Sequence, residues 1–401
     1  MDLHSSENFW PIKNGLLGIF PSLNQSLKCD IAIMGAGISG ALMADTLCKM
    51  GLDVILVDKR HCGFGSTAAS TALIQYEIDT PLRELIKKRG VDHAVQSYKL
   101  CVEAIAHLEA LAKKYPQAGF KRRPSFQFTS SKSHLSDHIK EEELRRLYHI
   151  SDTEWLTSQD IKKRFSFNKL GGIFSKHGAV LDPFQLTYSL ISTHIKNNLR
   201  VFDNTTVLDI VHHLKSVTLK CSTGFNIEAK KLIIACGYES QKYLPKKVEI
   251  PKTTYAILSE VMDEKLFWHQ ESLIWETAEP YLYLRTTNDK RILIGGKDDP
   301  SHNPRRRDMK LPMKQKALEE NFKQLYPHIP FKTDFSWAGI FCGTKDGLPY
   351  IGSIPERRNT YFSLGFGGNG ITYSLIAAHI IADLIREKSN ENVEIFAFNR
   401  H

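Results

Sequence analysis

Six consecutive residues near the N-terminus have the types and spacing of a phosphate-binding turn. A short apolar run at 29–34 precedes them, and an apolar stretch long enough for a helix follows them. In such a strand–turn–helix unit the first glycine permits a tight turn, the second lets the backbone approach a pyrophosphate, and the third lets helix and strand pack closely. The helix N-terminus faces the negative phosphates. We therefore predict an adenine-dinucleotide site at Gly35, Ala36, Gly37, Ile38, Ser39 and Gly40.

An acidic residue closes the next apolar strand, at 53–58, at the distance expected for this unit. Asp58 can accept a hydrogen bond from a ribose hydroxyl, and Lys59 and Arg60 follow it directly. The segment 63–74 is then dense in glycine, serine, threonine and alanine, which suits a second approach to phosphates and to a flat ring. An NAD enzyme would not need such a segment. The cofactor contacts predicted within it are Gly65, Ser66, Thr67, Ala68, Ala69, Ser70 and Thr71.

A second glycine-rich turn lies near the C-terminus, between the apolar strand at 361–364 and a helix expected to begin near Ile371. The N-terminal amides of that helix would point at a developing negative charge. An ordinary core helix would leave the density of glycines before it unexplained. The predicted contacts here are Gly365, Gly367, Gly368, Asn369, Gly370, Ile371 and Thr372.

Together with these turns, four later motifs make the chain resemble the D-amino-acid oxidase-like family of FAD-dependent oxidoreductases, which contains glycine oxidase and sarcosine oxidase. The motifs occur in family order at 231–240, 291–299, 337–352 and 365–374. The resemblance implies FAD as cofactor and an α/β fold, with a Rossmann-type FAD-binding domain around a parallel central sheet and an antiparallel β-rich substrate domain. It also implies further FAD contacts at Val207, Ala235, Gly237 and Gly343.

The chain departs from the family at the positions that bind a substrate carboxylate. Glycine oxidase has arginines where this chain has Phe341 and Gly368, and sarcosine oxidase has arginines where it has Gln75 and Ala72. Burying a carboxylate without a cationic partner costs several kcal/mol. Either Arg285 supplies the missing cation or the substrate is not a simple amino acid.

Two further departures concern the flavin. The cysteine that attaches FAD in sarcosine oxidase aligns with Gly339, and Cys342 is nearby but out of register. We therefore predict non-covalent FAD. The lysine that activates oxygen in sarcosine oxidase aligns with Leu293, which slightly favours an electron acceptor other than oxygen.

The substrate-positioning candidates come from two segments. Arg285 ends an apolar strand at the cavity wall, where it could meet a carboxylate or form a structural ion pair. Tyr255 and Tyr283 could line the cavity with aromatic faces and hydroxyls, or belong to the core of the sheet. Gln75 and Tyr76 directly follow the small-residue segment and are better placed to contact a substrate.

The apolar patterns divide the chain into two predicted domains. The FAD-binding domain is expected at 1–80, 171–250 and 331–401, and the substrate-binding domain at 81–170 and 251–330. The patterns also predict a helical pair within 82–115, a β-meander at 207–229 and an antiparallel sheet at 253–299.

Composition excludes several classes of protein. The net charge of +9 is spread along the chain without a long basic patch, so no nucleic-acid partner is expected. The seven cysteines are odd in number and form no CxxC pair, so neither a disulfide framework nor a metal site is predicted. Neither a signal peptide nor a membrane span is expected, because an uninterrupted apolar segment of about 18 residues is missing. We therefore expect a cytoplasmic protein.

These observations predict an FAD-dependent oxidoreductase that oxidises the C–N bond of a small amine or amino acid by hydride transfer to flavin N5. Oxygen or another acceptor would then take up the electrons. One alternative is a dehydrogenase of a hydroxy acid or amino acid with an acceptor other than oxygen. A tRNA-modifying flavin enzyme and a flavoprotein that only binds partners are the others. The oligomeric state is left unassigned.

Overall fold

The computed structural model describes residues 2–5 and 8–400, which form three β-sheets and ten α-helices within these ranges. The helices are α1 Phe9–Asn14, α2 Ile38–Lys49, α3 Leu82–Arg89, α4 Val91–Ala112, α5 Leu135–Leu147, α6 Ser158–Phe165, α7 Pro183–His194, α8 Pro304–Leu325, α9 Gly370–Ile385 and α10 Val393–Phe396.

The first sheet has eight strands and a parallel centre. Its strands are β1 Leu27–Met34, β2 Val54–Val57, β9 Leu199–Phe202, β10 Val207–His212, β11 Val217–Cys221, β12 Asn226–Ile234, β18 Tyr350–Ser353 and β19 Thr360–Leu364. Strands β12, β1, β2 and β9 run parallel, and β19 extends the parallel part along the second half of β12.

Apolar sequence explains the centre of this sheet. All four residues of β2 are buried, as expected of a parallel strand covered on both faces. Each such side chain stabilises the fold by about 1.5–3 kcal/mol relative to its exposed state. Helices α7 and α9 both pack against α2. Helix α7 begins after Asp182, whose side chain accepts hydrogen bonds from the amides of Phe184 and Gln185.

The β-meander is confirmed as β10, β11 and the first half of β12. The last strand of the meander, β12, runs continuously from Asn226 to Ile234. Its first half pairs with β11 and its second half with β19, so one strand serves both the meander and the central sheet.

The second sheet is largely antiparallel and confirms the expected β-rich region. Its strands are β5 Ser125–Phe128, β6 Thr153–Thr157, β7 Gly171–Ser175, β13 Ile250–Ser259, β14 Leu273–Glu276, β15 Tyr283–Thr286, β16 Ile292–Asp299 and β17 Thr333–Gly343, in the order β17-β13-β16-β15-β14-β5-β7-β6. Helix α8 packs on β13, β16 and β17. A third, small sheet contains β3 Leu73–Gln75, β8 Gly178–Val180 and β4 Lys121–Arg122.

The residue boundaries of the two domains stay a prediction. Strands β7 and β17 come from ranges assigned to the FAD-binding domain but pair within the antiparallel sheet. The expected helical pair forms α3 and α4, and α4 packs against α9.

The cysteines and one apolar helix concern the predictions made from composition. All seven cysteines are free, and the described residues hold no cluster of ligands for a metal ion. One helical stretch, Gly367–Ile385, is long and apolar enough to cross a membrane, but 67% of its apolar window is buried within the protein. A core helix has the same properties.

Candidate active site

The turn between β1 and α2 requires its glycines. Gly35 has φ +109°, and a Cβ atom there would lie 2.5 Å from the carbonyl oxygen of Ala235. A Cβ at Gly40 would overlap the carbonyl oxygen of Gly35, and one at Gly37 would lie 2.9 Å from the Thr67 hydroxyl. The backbone therefore forms an open cradle at the N-terminus of α2, as a pyrophosphate needs.

Asp58 is tied to this cradle. Its carboxylate accepts hydrogen bonds from the amides of Ala36, at 2.7 Å, and Arg60, at 2.8 Å. Asp58 also lines the large cavity that begins at the cradle. Burial raises the pKa of this carboxyl above its usual range, in spite of the two amide donors. The predicted contact with a ribose hydroxyl stays a prediction.

Three charged side chains line the same end of the cavity. Lys59 Nζ lies 2.5 Å and Arg60 Nη1 lies 3.0 Å from the carboxylate of Glu239. Although burial opposes ionisation, the hydrogen bonds and charges of the two cations lower the pKa of Glu239 to about 2. This region, with Asp58 and the α2 cradle, is called the dinucleotide end below.

The small-residue segment forms the middle of the cavity, and buried side chains hold its backbone from behind. Trp337 Nε1 donates to the Ala69 carbonyl at 3.0 Å, and Trp10 Nε1 donates to the Ser70 carbonyl at 2.6 Å. Arg285 Nε donates to the next carbonyl, that of Thr71, at 2.7 Å. None of these three donors lines the cavity. The three consecutive carbonyl oxygens therefore point into the protein.

The second glycine-rich turn faces this segment across the cavity. A 3₁₀ turn at Gly367–Asn369 leads directly into α9. The Asn369 side-chain amide donates to the backbone oxygens of Gln75, at 3.0 Å, and Glu77, at 2.9 Å. The predicted helix start is confirmed, and its positive N-terminal end borders the cavity.

The structure gathers most of the predicted cofactor residues around one cavity. Those that line it are Gly35, Gly37, Ile38, Ser39, Asp58, Lys59, Arg60, Gly65, Ser66, Thr67, Ala69, Ser70, Thr71, Val207, Ala235, Gly237, Gly367, Gly368, Asn369, Gly370 and Ile371. Six predicted contacts lie outside the lining: Ala36, Gly40, Ala68, Gly343, Gly365 and Thr372. Gly40 has a packing role instead, since it lets α2 approach the turn.

The end of β3 and the chain that follows it line the other end of the cavity, which we call the substrate end. Gln75 lines it as predicted, but Tyr76 is fully buried in the core behind it. Successive side chains of an extended chain point to opposite sides. Glu77 and Asp79 therefore share the cavity side with Gln75. The prediction for Tyr76 was wrong, and the two carboxylates could have been found from the same alternation.

The antiparallel sheet supplies the opposite wall. Tyr283 lines the cavity as predicted, together with Trp275 and Tyr281. The ring centroids of Trp275 and Tyr281 are 6.1 Å apart, and those of Tyr281 and Tyr283 are 5.9 Å apart. Burial raises the pKa of Tyr283 to about 12, so its hydroxyl stays protonated.

Tyr255 does not line the cavity, contrary to the prediction. Its neighbour Thr254 does, and alternation along β13 turns Tyr255 to the opposite face of the sheet. There it is buried in the apolar cluster under α8, with Lys314 Nζ 5.1 Å from its ring centroid. Its placement is structural.

Arg285 does not line the cavity either. Its side chain is 2% exposed, and its guanidinium lies 5.7 Å from the Trp10 ring, behind the small-residue segment. Burial lowers its pKa to about 10, and no described carboxylate lies within 4 Å. Both expectations for Arg285, a substrate-carboxylate partner and a strand-end ion pair, were wrong. Its described contacts are with the Thr71 carbonyl, its own strand and the Trp10 ring.

A local irregularity in β16 brings a further carboxylate to the substrate end. The pairing of β13 and β16 shifts between Thr253 and Tyr255, where Gly296 has φ +130° and Lys297 has φ +56°. Such a bulge places one extra residue in one strand and reverses the alternation beyond it. Asp298 consequently lines the cavity and Lys297 does not. Burial raises the pKa of Asp298 to about 6.

Comparison with known proteins agrees with this geometry. Gamma-glutamylputrescine oxidoreductase of Escherichia coli is 26% identical over 94% of this chain and 88% of its own. The glycine oxidase structure from Geobacillus kaustophilus superimposes with a TM-score of 0.77 at 21% identity, over 93% of this chain and 99% of its own. The L-proline dehydrogenase structure from P. horikoshii gives 0.79 at 17% identity, over 93% and 97%.

Comparison with protein families shows which family the chain belongs to. The sequence matches the family described as FAD dependent oxidoreductase over residues 30–384, which is most of the chain. The cradle at α2, the small-residue segment and the start of α9 all lie within this range. The chain therefore belongs to the D-amino-acid oxidase-like family of FAD-dependent oxidoreductases.

Proposed function

We propose that this enzyme oxidises the C–N bond of a small amine or amino acid with non-covalently held FAD. The observation that supports this most is the continuity of one cavity. It joins the dinucleotide end, the small-residue segment and a substrate end walled by aromatic and polar side chains. Gamma-glutamylputrescine oxidoreductase and glycine oxidase, by their names, act on compounds with such bonds.

The residues present fit FAD. Gly35 and Gly37 leave the cradle open for a pyrophosphate, and Asp58 lines the cavity beside it. Gly339 faces the small-residue segment, since a Cβ there would lie 3.5 Å from the Ala69 side chain. No thiol is present at this attachment position, and Cys342 does not line the cavity. These features support non-covalent attachment.

When bound, FAD would supply a two-electron acceptor for the hydride on the carbon next to the amine nitrogen, and water would hydrolyse the resulting imine. The chain itself binds and orients. The amides at the start of α9 stabilise negative charge on the ring system. The inward-facing carbonyls of Ala69, Ser70 and Thr71 keep their lone pairs away from it. Trp275, Tyr281 and Tyr283 shield the reacting carbon from water.

The test begins with the purified protein. Acid precipitation is expected to release yellow FAD into the supernatant. Anaerobic addition of amines and amino acids is then expected to bleach the flavin absorbance with a subset of the compounds. Colour that stays in the pellet would contradict non-covalent attachment. A flavin that no C–N substrate reduces, while a hydroxy acid does, would contradict the proposed reaction.

An acceptor other than oxygen is a second candidate for the reoxidation step. Leu293 is a buried apolar residue of β16 and does not line the cavity. Lys59 and Lys242 are the lysines of the described lining, and both lie in the dinucleotide region. Stopped-flow reoxidation of the reduced enzyme by oxygen and by a soluble quinone distinguishes the two. Faster reoxidation by oxygen would contradict the dehydrogenase.

Cytoplasmic location belongs to the same proposal. Its support is the set of seven free cysteines, six of them buried, which is typical of a reducing compartment. Cell fractionation tests it, and recovery of the protein in a membrane or secreted fraction would contradict it.

A further inference from the structure

Three carboxylates line the substrate end: Glu77, Asp79 and Asp298. The lysines and arginines of the described lining, Lys59, Arg60 and Lys242, belong to the dinucleotide region. Arg285, the residue expected to supply a cation, lies outside the cavity. The substrate end is therefore lined by negative and neutral side chains.

Glu77 is the deepest of the three and is incompletely paired. Its side chain is 2% exposed, and its nearest cation is Arg145, with Nη1 3.8 Å from Oε1. Arg145 Nε also binds the carboxylate of Glu141 at 2.9 Å, so one cation serves two carboxylates. Glu77 Oε2 has no hydrogen-bond partner among the described residues. A buried acceptor left in this state requires a donor from a ligand or from water.

Asp79 and Asp298 are less deeply buried than Glu77. Asp79 accepts hydrogen bonds from the amide of Gly368, at 2.8 Å, and from the Tyr281 hydroxyl, at 3.3 Å. The charge of Asp79 acts on Asp298, which makes no salt bridge within 4 Å in the described chain. Lys252 acts on both at longer range, but its side chain is exposed and does not line the cavity.

The aromatic wall has the same electrostatic preference. Trp275, Tyr281 and Tyr283 line the cavity together with these carboxylates. The negative face of an aromatic ring attracts an ammonium group, by about 0.5–2 kcal/mol. Carboxylates and aromatic faces together are the groups that recognise an alkylammonium ion. They would repel a second carboxylate.

We infer that the substrate is an amine with a second cationic group, an aliphatic diamine or polyamine, whose distal ammonium is held by Glu77, Asp79 and Asp298. This inference rests on the proposed oxidation of a C–N bond. The nitrogen next to the oxidised carbon is neutral at the flavin, and the other nitrogen keeps its proton among the carboxylates. A substrate with a free carboxylate has no described cation to meet it at this end of the cavity.

Three four-carbon compounds that differ only at the far end test the inference on the holoenzyme. They are 1,4-diaminobutane, 1-aminobutane and 4-aminobutanoate. Anaerobic flavin reduction is expected to show a kcat/KM for the diamine about 10–100 times that for the monoamine, as for a desolvated charge pair. The carboxylate compound is expected to be the poorest. Equal values for the diamine and the monoamine, or a preference for 4-aminobutanoate, would overturn the inference.

Substitutions assign the effect to the carboxylates. Asp298→Asn is expected to remove most of the diamine preference, read as the ratio of kcat/KM for diamine over monoamine within the same variant. The matched control is Asp299→Asn, because Asp299 is the next residue in β16 but pairs with Lys310 and the Ser301 amide outside the cavity. It is expected to keep the preference. Should Asp298→Asn not retain FAD, Glu77→Gln serves as the second variant. A diamine preference that survives in whichever variant retains FAD would overturn the inference.

Calorimetric binding separates this inference from the proposed reaction. Holoenzyme that binds 1,4-diaminobutane more tightly than 1-aminobutane without reducing its flavin would support the cationic site and contradict the oxidation. Reduction by all amines without a diamine preference, in binding or in rate, would contradict the cationic site alone.

Discussion

The two ends of the cavity are built in opposite ways. At the dinucleotide end, one unbroken unit of β1, the glycine turn, α2 and β2 supplies the cradle and Asp58. At the substrate end, Gln75, Thr254, Trp275, Tyr283 and Asp298 come from five different strands or the segments beside them. The first end depends on local backbone geometry, and the second depends on how distant strands pair.

The largest expected effect tests the claim that local geometry controls the dinucleotide end. Gly40→Ala places a Cβ onto the carbonyl oxygen of Gly35. Overpacking of this kind costs about 1–3 kcal/mol or more, and here it also displaces the cradle. We expect loss of FAD from the purified protein, measured as a fall in the visible flavin absorbance relative to the protein absorbance.

The control for Gly40 is Gly343→Ala. A Cβ at Gly343 would meet no atom within 4 Å, and Gly343 lies outside the cavity lining. We expect normal FAD content in this variant. If both variants lost FAD equally, the loss could not be attributed to the clash of the new Cβ at position 40 with the cradle.

The next largest expected effect is on FAD affinity and concerns Asp58 at the dinucleotide end. Asp58→Ala removes the acceptor for the amides of Ala36 and Arg60 as well as the predicted acceptor for the ribose. We expect FAD binding to weaken by about 1–3 kcal/mol, the range for a charged hydrogen bond. Fluorescence titration of the apoprotein with FAD measures it. An unchanged dissociation constant would show that Asp58 has no part in cofactor binding.

Arg285→Met tests whether this arginine belongs to the substrate end or to the segment behind the flavin position. The variant keeps the stem but leaves the Thr71 carbonyl without its donor. We expect about 1–2 kcal/mol less stability in thermal unfolding and weaker FAD retention, because a buried acceptor is orphaned. The relative kcat/KM values for amines and amino acids are expected to stay the same. A selective fall in kcat/KM for substrates with a carboxylate would show that Arg285 takes part in substrate binding.

The smallest expected effect is a pH dependence at the substrate end. Burial raises the pKa of Asp298 to about 6, outweighing the Thr254 hydroxyl and the charges of Lys252 and Lys314, while Asp79 adds to the rise. Asp298 is therefore ionised above this pH and neutral below it. As the pH falls from about 8 to 5, we expect the ratio of kcat/KM for diamine over monoamine to fall by up to about tenfold.

Using that ratio cancels the protonation of the reacting amine, which both compounds share. Burial also raises the pKa of Glu77 to about 6, so in Asp298→Asn the ratio is expected to keep only the smaller pH dependence that Glu77 contributes. A ratio that stays constant in the unaltered enzyme would show that Asp298 does not contact the substrate cation.

Residues whose roles depend on near neighbours could be predicted from the sequence. Gly35, Gly37 and Asp58 lie within one strand–turn–helix–strand unit, so their spacing alone specifies the cradle. The small-residue segment and the start of α9 were found in the same way. Gln75 and Tyr283 line the cavity as expected, and each lies in a recognisable strand, but their contact with a substrate stays a prediction.

The tertiary structure decided the rest, because the side of a strand that faces a cavity depends on its pairing. Tyr76 and Tyr255 alternate onto the core side, whereas Glu77 and Thr254 reach the cavity. The bulge at β16 exchanges Lys297 for Asp298, which reverses the charge presented to the substrate. Local sequence determined that FAD binds, and long-range pairing of strands decided which side chains meet the substrate.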